Sequence, residues 1–433
     1  MINSKPFINY RIQIVLIGFL VCVSAGAVPT YFDTVKGNVH QLFKNGQGIY
    51  VLRYAHKFSD TLYIPHDSEV RFKGGRLSGP VVFDATELSG KVNLKGSHIG
   101  GRIKNSTFNA SWLCAMDGLT DDAPLINEMI ATCGSVYFPR GIYRLISAYK
   151  RENFHIGINQ DNVSLSGEKE TVFLTKERLG IVCVFSKPYD IANSVKNIRL
   201  KGITFRTIND GSVFLQWTHA IQTKGVNGFA IENCTIEDFW GDGICLNHYG
   251  DNPDTGERAR NQNVRIENNI IVGGDLHNNR NGISVINGQN VLIRGNIIRN
   301  TSRKDMPGAI DIEPNNSAYT IEDVRIIGNT IEESRGRCGA IEICMVKGGP
   351  GYHIYVEDNY ISKSNLGIYV CLKTEDTTEH FVIRNNLITA DTPSYKFVGN
   401  GKSKNWIISG NSFKRPVNQK IPGDLRIENL QVR

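Results

Sequence analysis

Several features that identify common protein classes are missing from this chain of 433 residues. Beyond the N-terminus, no apolar run approaches the ~18 residues that cross a bilayer, so we predict no membrane span. No two of the nine cysteines have Cys-x-x-Cys spacing, which argues against a zinc ribbon. Aromatic residues do not interleave with the basic ones, and glycines do not mark strand-to-helix steps. Neither a nucleic-acid surface nor a nucleotide site is therefore indicated.

The N-terminus carries the one long apolar run. Lys5 and Arg11 precede this run, and Ser24-Ala25-Gly26-Ala27 follows it with an Ala-x-Ala pattern. This order is typical of a secretory signal peptide, so we predict that residues 1–27 are removed and that the protein is exported to the periplasm, cell surface or medium. Removal takes two positive charges from the formal charge of +7. The remaining basic excess suits an acidic polymer.

Cysteine usage points to buried thiols. Cys22 lies within the signal segment, where the bulky Val21 before it argues against a lipid anchor. An exported chain can pair its other cysteines, yet most of them lie in apolar strands, where a cysteine acts as a small core residue. We therefore expect thiols rather than disulfides. These residues are Cys114, Cys133, Cys183, Cys234, Cys245, Cys338, Cys344 and Cys371.

A short phrase recurs along the second half of the chain, as in Val264-Arg-Ile-Glu-Asn-Asn269-Ile-Ile. Its asparagines are Asn269, Asn296, Asn329, Asn359, Asn386 and Asn411, which follow one another at steps of 27, 33, 30, 27 and 25 residues. A fixed period of this size indicates one stacked structural unit. Each unit has short β-branched strands and no helical spacing, which predicts an all-β, parallel β-helix solenoid. The asparagines are expected to stack as a hydrogen-bonded ladder.

The segment ahead of these repeats has shorter alternating strands. We predict a small N-terminal β cap over residues 28–113 and the β-helix domain over residues 114–433. At the start of that domain, Thr120 and the two aspartates after it favour a helix that runs to about Thr132. Such a helix would close the end of the solenoid and prevent edge-to-edge pairing.

Two motifs here carry a family resemblance: Asp117-Gly-Leu-Thr-Asp-Asp122 and Val136-Tyr-Phe-Pro-Arg-Gly-Ile-Tyr143. They resemble the opening of the pectate-lyase-like superfamily of right-handed parallel β-helix proteins. The resemblance implies a right-handed solenoid with a short N-terminal capping helix. The superfamily includes polysaccharide lyases, glycoside hydrolases, epimerases and phage tailspike depolymerases, so it implies a polysaccharide partner and leaves the reaction open.

A second phrase, a small residue followed by Ile, marks the strand that carries the candidate site. It reads Ala309-Ile-Asp311-Ile-Glu313 in one coil and Ala340-Ile-Glu342 in the next. Because side chains alternate, Asp311 and Glu313 share a face with Cα atoms about 6.6 Å apart, and Glu342 stacks about 4.8 Å from Asp311. Carboxylates this close raise one another's pKa, which favours a site. Pairing with arginines and lysines of nearby loops is the alternative.

Polar residues around this face complete the predicted site. The predicted catalytic residues are Arg280, His277, His248, Asp311, Glu313 and Glu342. The predicted substrate-binding residues are Lys224, Asp242, Asn247, Asp275 and Tyr369. A long polar excursion at 250–261 exceeds an ordinary coil corner and adds to the rim.

Three functions stay open, of which a polysaccharide lyase acting on a uronate-containing polymer is preferred. β-Elimination requires a neutralised uronate carboxylate, a base and an acid. Resemblance to calcium-assisted β-helix lyases implies Ca²⁺ at Asn281, Asp311 and Glu313, although those enzymes also carry a lysine after the acidic pair that is missing here.

The second function is a glycoside hydrolase that uses the three carboxylates, but not one of the β-helix polygalacturonases, whose Gly-His-Gly is absent. The third is a glycan-binding β-helix without catalysis. No organic cofactor is indicated, and the sequence leaves the choice between a monomer and a homotrimer open.

Overall fold

The computed structural model describes residues 30–33, 38–186, 194–248, 260–274, 278–315, 318–345, 351–372, 378–390, 395–399 and 401–413, and the backbone of 426–428 and 431–432. The predicted signal peptide and two predicted site residues, Asp275 and His277, lie outside them, as does most of the 250–261 excursion. Within the described ranges, no helix is long and apolar enough to cross a membrane.

Three long parallel sheets run the length of the solenoid, and almost every coil gives one strand to each. Sheet 1 contains Asp117–Asp121, Gly141–Leu145, Thr171–Thr175, Thr204–Thr207, Thr235–Glu237, Ile270–Val272, Ile297–Arg299, Thr330–Glu332, Tyr360–Ser362, Leu387–Thr389 and Ser412–Phe413. Sheet 2 contains Phe108–Asn109, Ser135–Phe138, Ser164–Gly167, Val195–Lys201, Val226–Glu232, Asn261–Glu267, Gly288–Arg294, Ile321–Ile327, Gly351–Glu357, Thr378–Arg384, Lys402–Ser409, Arg426–Glu428 and Gln431–Val432. Sheet 3 contains Phe154–Ile158, Gly180–Phe185, Ile221–Lys224, Ile244–Asn247, Ile283–Val285, Ile310–Ile312, Ile341–Met345, Ile368–Leu372 and Tyr395–Gly399.

The N-terminal region is a smaller parallel β structure. Its strands are Tyr31–Asp33, Ile49–Leu52, Ala55–Lys57, Leu62–Tyr63, Glu69–Phe72, Arg76–Ser78, Pro80–Gly90 and His98–Ile103, with a helix at Val39–Leu42 and a 3₁₀ turn at Phe43–Asn45. Further 3₁₀ turns lie at Ala110–Trp112 and Tyr149–Arg151. The short strand Phe108–Asn109 already pairs with Ser135–Phe138. Sheet 2 thus begins a few residues before the predicted boundary at residue 114.

The capping helix spans Ala123–Cys133, close to the predicted end at Thr132. Its Ile126, Met129 and Ile130 are buried in the core at the end of the solenoid. The predicted capping chemistry differs in detail, because the Asp122 carboxylate accepts the N–H groups of Ala115 and Met116 instead of helical ones. Asp121 accepts the N–H of Ala123 and so caps the first turn.

The coils that start with the strands from Asn261–Glu267 to Thr378–Arg384 run from sheet 2 through a ladder asparagine into sheet 1, and then through a loop into sheet 3. Inward residues such as Val264, Ile266, Val291 and Ile293 are almost fully buried and form one core along the solenoid. Full burial of such a side chain contributes about 1.5–3 kcal/mol. The alternation of the repeated phrase therefore accounts for the stacking.

The predicted asparagine ladder is confirmed. The Nδ2 group of Asn296 donates to Asn329 Oδ1 at 3.0 Å and to the carbonyl of Ile266 at 2.8 Å. The same Asn329 oxygen accepts the backbone N–H of Asn296 at 2.9 Å. The residue before each ladder asparagine has a positive φ, such as 65° at Gly295, which favours glycine and asparagine at that position.

The expectation of free thiols is confirmed for the eight described cysteines. Their predicted core position holds only in part. Cys114 and Cys234 lie in the core, but Cys245, Cys344 and Cys371 alternate with inward isoleucine, leucine or valine and so lie on the outer side of sheet 3. Those three are buried by their surroundings on that outer side.

Candidate functional site

The outer side of sheet 3 carries a continuous column of in-register polar residues. Successive coils place Cys245, Ser284, Asp311, Glu342 and Tyr369 as direct Cα partners. The predicted stacking of Glu342 on Asp311 is confirmed by this register. Because the flanking isoleucines point inward to the core, the strand pattern fixes these side chains on one face.

The stacked carboxyl groups of this column are buried. Asp311 is 0% exposed and Glu342 is 3% exposed. Burial first, and then the charges of Glu342 and Glu313, raise the pKa of Asp311 well above its ordinary value. Burial and the charge of Glu313 raise the pKa of Glu342 to about 7, against the hydrogen bonds from two cysteine thiols. At neutral pH, at least one of the stacked pair therefore keeps its proton.

Arg280 is the cation at the centre of this group. Its guanidinium nitrogens lie 3.8 Å from Asp242 Oδ2, 3.5 Å from Asp311 Oδ2 and 3.9 Å from Glu313 Oε2. Burial acts to lower the pKa of Arg280, but Asp242 and Asp311 outweigh it and raise that pKa, so the side chain stays charged. Arg280 is thus a positioning residue here and not a proton acceptor.

The predicted calcium ligands have a different arrangement from a calcium site. The Nδ2 group of Asn281 donates to Ser284 Oγ at 2.8 Å and to Asp311 Oδ2 at 2.9 Å. Calcium binds oxygen atoms, and here an amide N–H group and the Arg280 guanidinium already meet the Asp311 and Glu313 carboxylates. The positive guanidinium beside these carboxylates opposes the binding of a cation there.

Behind Arg280 lies a buried histidine and aspartate pair. His219 Nδ1 lies 3.1 Å from Asp242 Oδ2 and accepts the Asp242 N–H at 3.1 Å. Burial acts to raise the pKa of Asp242, but the neighbouring His219 and the Arg280 guanidinium outweigh it and lower that pKa. Asp242, predicted to bind substrate, is 0% exposed and instead holds Arg280 and the backbone N–H of Asn281.

One group among the described side chains has metal-ligand composition: His219, Asp242 and Cys245, whose ligand atoms lie within 4.8 Å of one another. Arg280 is directed at the same aspartate. A positive guanidinium beside the carboxylate opposes binding of a cation there. We therefore interpret the trio as support for Arg280.

A cleft of about 470 Å³ opens on the outer side of sheet 3, and we call it the carboxylate cleft. Its lining is Pro307, Glu313, Arg337, Cys338, Glu342, Cys344, Tyr369, Cys371 and Lys396. Glu313 and Glu342 thus both face the cleft, whereas Asp311 does not line it. Lys396 Nζ lies 5.7 Å from the centre of the Tyr369 ring, on its face.

Thiols surround the Glu342 carboxyl group. Cys338 and Cys344 hydrogen-bond to it, and the Cys344 thiol also forms a hydrogen bond with the Cys371 thiol. Burial and the neighbouring glutamate raise the pKa of Cys338 to about 12, so this thiol stays protonated and donates. The thiols therefore orient Glu342 without adding a charge.

Several buried oxygens of this group have no hydrogen-bond partner among the described residues. They are Asn281 Oδ1, Asp311 Oδ1 and Glu342 Oε2. A buried acceptor without a donor costs about 1–3 kcal/mol. Such a cost is unusual in a structural element and is common where a site awaits a ligand or a shared proton.

Three further predicted site residues among those that the structure describes, His248, Asn247 and Lys224, do not line the cleft. The ring of His248 packs 4.6 Å from that of Tyr319, and Asn247 accepts the His248 N–H. Lys224 pairs in register with Asn247, three coils before the Glu313 position. Sequence reasoning missed His219, Trp217 and Lys396. Only the register of the sheet 3 strands, in which Lys396 pairs with Tyr369, could have revealed Lys396.

Comparisons with known proteins agree with the fold. Residues 219–419 match the family model of the right handed beta helix region. Similar solved structures include the A-module of a mannuronan C-5 epimerase from Azotobacter vinelandii, at 13% identity and a TM-score of 0.46, over 74% of this chain and 93% of that chain. A family 28 exopolygalacturonase from Yersinia enterocolitica has 13% identity and a TM-score of 0.45, over 76% and 78% of the two chains.

A surface adhesin of Streptococcus pneumoniae is similar at 13% identity and a TM-score of 0.38, over 74% of this chain and 88% of that chain. Similarities this low carry no argument about activity. A search of curated proteins found no match. The register of the three parallel sheets, together with the family model that residues 219–419 match, shows that this chain has the fold of a right-handed parallel β-helix.

Proposed function

We propose that this protein hydrolyses glycosidic bonds of an acidic polysaccharide in the carboxylate cleft. The observation that carries the proposal is a pair of carboxyl groups, Glu313 and Glu342, on the wall of one cleft. Burial separates their environments, because the pKa of Glu342 is raised to about 7. Two carboxyl groups in different environments are the arrangement that acid and base catalysis of glycoside hydrolysis requires.

Glu342 is the general acid in this mechanism. A group with a pKa near 7 is largely protonated just below neutral pH and gives up its proton readily. The Glu342 carboxyl group donates that proton to the glycosidic oxygen as the bond to the leaving sugar breaks. The thiols of Cys338 and Cys344 hold the group in place.

Glu313 is the partner base. Its side chain is 19% exposed and lies beside Arg280. Glu313 follows Asp311 by two residues, and Asp311 pairs with Glu342 across adjacent strands. The Cα atoms of the two glutamates are therefore about 8 Å apart. If the two carboxyl groups keep a similar spacing, they leave room for a water molecule, which predicts inversion at the anomeric carbon.

Asp311 and Arg280 support this pair from behind. The charges of Glu342 and Glu313 add to burial in raising the pKa of Asp311, so the ionisation of both stacked carboxyl groups is costly. Arg280 spans Asp311 and Glu313 and fixes their positions relative to each other. Its positive charge also reduces the repulsion between the neighbouring carboxyl groups.

Positive groups of the cleft favour an acidic substrate. Arg337 and Lys396 line it together with Tyr369. Uronate carboxylates can pair with both cations, and the phenol can donate a hydrogen bond. The acidic polymer expected from the overall basic charge thus finds local support.

A β-elimination lyase is the second candidate, and the same cations favour it. Arg337 and Lys396 can neutralise a uronate carboxylate, which is the step that makes the C5 proton acidic. Arg280 is held by three carboxylates, so the base would be Glu342 or Tyr369. Burial and then Cys371 raise the pKa of Tyr369, so this phenol keeps its proton and is not available as the base.

One screen tests both candidates. The purified protein is incubated with acidic and neutral polysaccharides while reducing ends and the absorbance of unsaturated uronate are recorded. Hydrolysis predicts reducing ends without absorbance, abolished in Glu342→Gln and kept in Glu332→Gln, a matched change on sheet 1. Absorbance that grows with reducing ends would establish the lyase instead. Neither signal on any polymer would leave the glycan-binding function.

Export accompanies this proposal, because a polymer substrate lies outside the cell. The predicted signal segment is tested by expression in a host with a secretion pathway. We expect the mature protein to begin at Val28 when its N-terminus is sequenced. Recovery of an uncleaved chain in the cytoplasm would contradict this expectation.

A further inference from the structure

Trp217 is exposed in a way that the core does not explain. It lies in the loop between Thr204–Thr207 of sheet 1 and Ile221–Lys224 of sheet 3, and it is 63% exposed. Trp240 and Trp406, by contrast, are fully buried. No other large hydrophobic side chain described after the capping helix is so exposed. Tryptophan is enriched at interfaces, because its ring offers a large apolar face together with a polar N–H group.

The loop that carries this ring is held firmly. The N–H of Gly241 donates to the Thr218 carbonyl at 2.7 Å, and the Nδ2 group of Asn278 donates to the Val213 carbonyl at 2.7 Å. A Cβ atom at Gly241 would lie 2.8 Å from the Gln216 carbonyl oxygen, so this close approach requires glycine. The indole is therefore presented on a fixed support, which lowers the entropy cost of binding.

A buried cation connects Trp217 to the carboxylate cleft. The guanidinium carbon of Arg280 lies 5.8 Å from the centre of the Trp217 ring. The same guanidinium reaches 3.9 Å from Glu313 Oε2, which lines the cleft. One side chain thus separates the exposed ring from the candidate base. The ring and the cleft belong to one surface along the outer side of sheet 3.

We propose that Trp217 is a sugar-stacking subsite, on which a pyranose ring of the polysaccharide packs its C–H face. This pyranose lies a few sugar units away from the glycosidic bond that is cleaved. This inference rests on the proposed function for the class of ligand. The strand after Trp217 lies three coils before that of Asp311, which is about 14 Å along the axis. A bound polymer therefore lies parallel to the solenoid axis, from Trp217 to Glu342. Arg280 polarises the ring from one side, as cations on aromatic faces do.

Binding is measured in the Glu342→Gln background so that cleavage does not interfere. Affinity electrophoresis in alginate or polygalacturonate, with dextran as the neutral polymer, gives the dissociation constant. We expect Trp217→Ala to weaken binding of an acidic polymer about tenfold, and Trp217→Phe to weaken it less. Tyr63→Ala, which removes a ring that is 68% exposed in the N-terminal region, is the matched control and should bind normally. Tryptophan emission should change on binding and lose that change in Trp217→Phe.

Equal binding by the Trp217→Ala and Tyr63→Ala variants, at equal melting temperatures, would overturn the subsite. So would an emission change that persists in Trp217→Phe, or no binding to any of the three polymers. Binding that depends on Trp217, without cleavage by the unmodified protein, would retain the subsite and overturn hydrolysis.

Discussion

Two columns of buried polar side chains run along this solenoid, and they differ in one respect. In the asparagine ladder, the amide groups of Asn296 and Asn329 are matched by partners in the neighbouring coils. In the sheet 3 column, Asp311 and Glu342 are as deeply buried but keep oxygens without a partner among the described residues. One column repeats a single residue type, and the other changes from coil to coil.

The difference separates structure from function. A repeated amide is a donor and an acceptor at once, so stacking it satisfies each copy and stabilises the turn. Stacked carboxyl groups are acceptors that repel one another, and they persist only where a shared proton or a nearby cation compensates. The asparagine ladder accounts for the stacking of the coils, and the sheet 3 column accounts for the position of the candidate functional site.

The largest expected difference between the two columns is in their effect on catalytic activity. Glu342→Gln or Glu313→Gln should lower turnover by about 10²–10⁴-fold, because each removes a proton-transfer group. The far-UV circular dichroism and melting temperature should match those of the unmodified protein or rise slightly. Activity on the substrate from the screen is the measurement. Full activity in both variants would show that neither glutamate takes part in catalysis.

Stability should depend on pH through the second column. The ordinary pKa of a glutamate is 4.5, and the pKa of Glu342 in the folded protein is about 7. Between these values the unfolded chain loses a proton that the folded protein keeps, so the free energy of unfolding falls as pH rises, by about 3 kcal/mol in all.

Urea unfolding at several pH values between 4 and 8 measures this fall. Glu342→Gln should lose the part of the fall that comes from Glu342 and gain stability relative to the unmodified protein towards pH 8, while Asp122 and Asp311, whose pKa values are also raised, keep their parts. The Glu332→Gln control should follow the unmodified curve. Parallel curves for Glu342→Gln and the unmodified protein would contradict the raised pKa.

The first column should respond with a smaller, pH-independent loss. Asn329→Leu removes the hydrogen bonds to Asn296 and Asn359, the ladder asparagines of the two neighbouring coils. We expect a loss of about 1–3 kcal/mol in the free energy of unfolding. Asn365→Leu, at an exposed asparagine, is the control and should change little. An unchanged melting temperature in Asn329→Leu would rule out the ladder as a source of stability.

Metal removal should have the smallest effect. Since Arg280 already faces Asp311 and Glu313, an excess of chelator should leave turnover and melting temperature unchanged. Chelator-treated protein is compared with protein to which Ca²⁺ is added back. Lost activity that calcium restores, with a rise in melting temperature by linkage, would favour the calcium-assisted lyase predicted from the sequence.

The sequence predicted what depends on period and alternation. The asparagine steps predicted the stacked coils and the ladder, and the spacing of Asp311, Glu313 and Glu342 predicted one face with a one-coil offset. Both depend on backbone geometry that repeats, which a sequence displays directly.

The surroundings of that face were less accessible, because they depend on how loops fold back. Trp217 and His219 lie in a loop whose course follows from contacts with later coils, such as that of Gly241. His248 was predicted to be catalytic beside the cleft, and its ring packs on that of Tyr319, which follows the sheet 3 strand two coils further along. Asp242 was predicted to bind substrate but is buried under Arg280, because a charged side chain in a loop can serve as support as well as a contact.

The most direct test of the account is the pH dependence of cleavage, followed as reducing ends on the substrate that the screen identifies. A protonated Glu342 as the acid predicts a rate that falls as pH rises through about 7, without unsaturated uronate at any pH. A rate that keeps rising from pH 7 to pH 9, with absorbance of unsaturated uronate, would contradict the acid role of Glu342 and establish elimination.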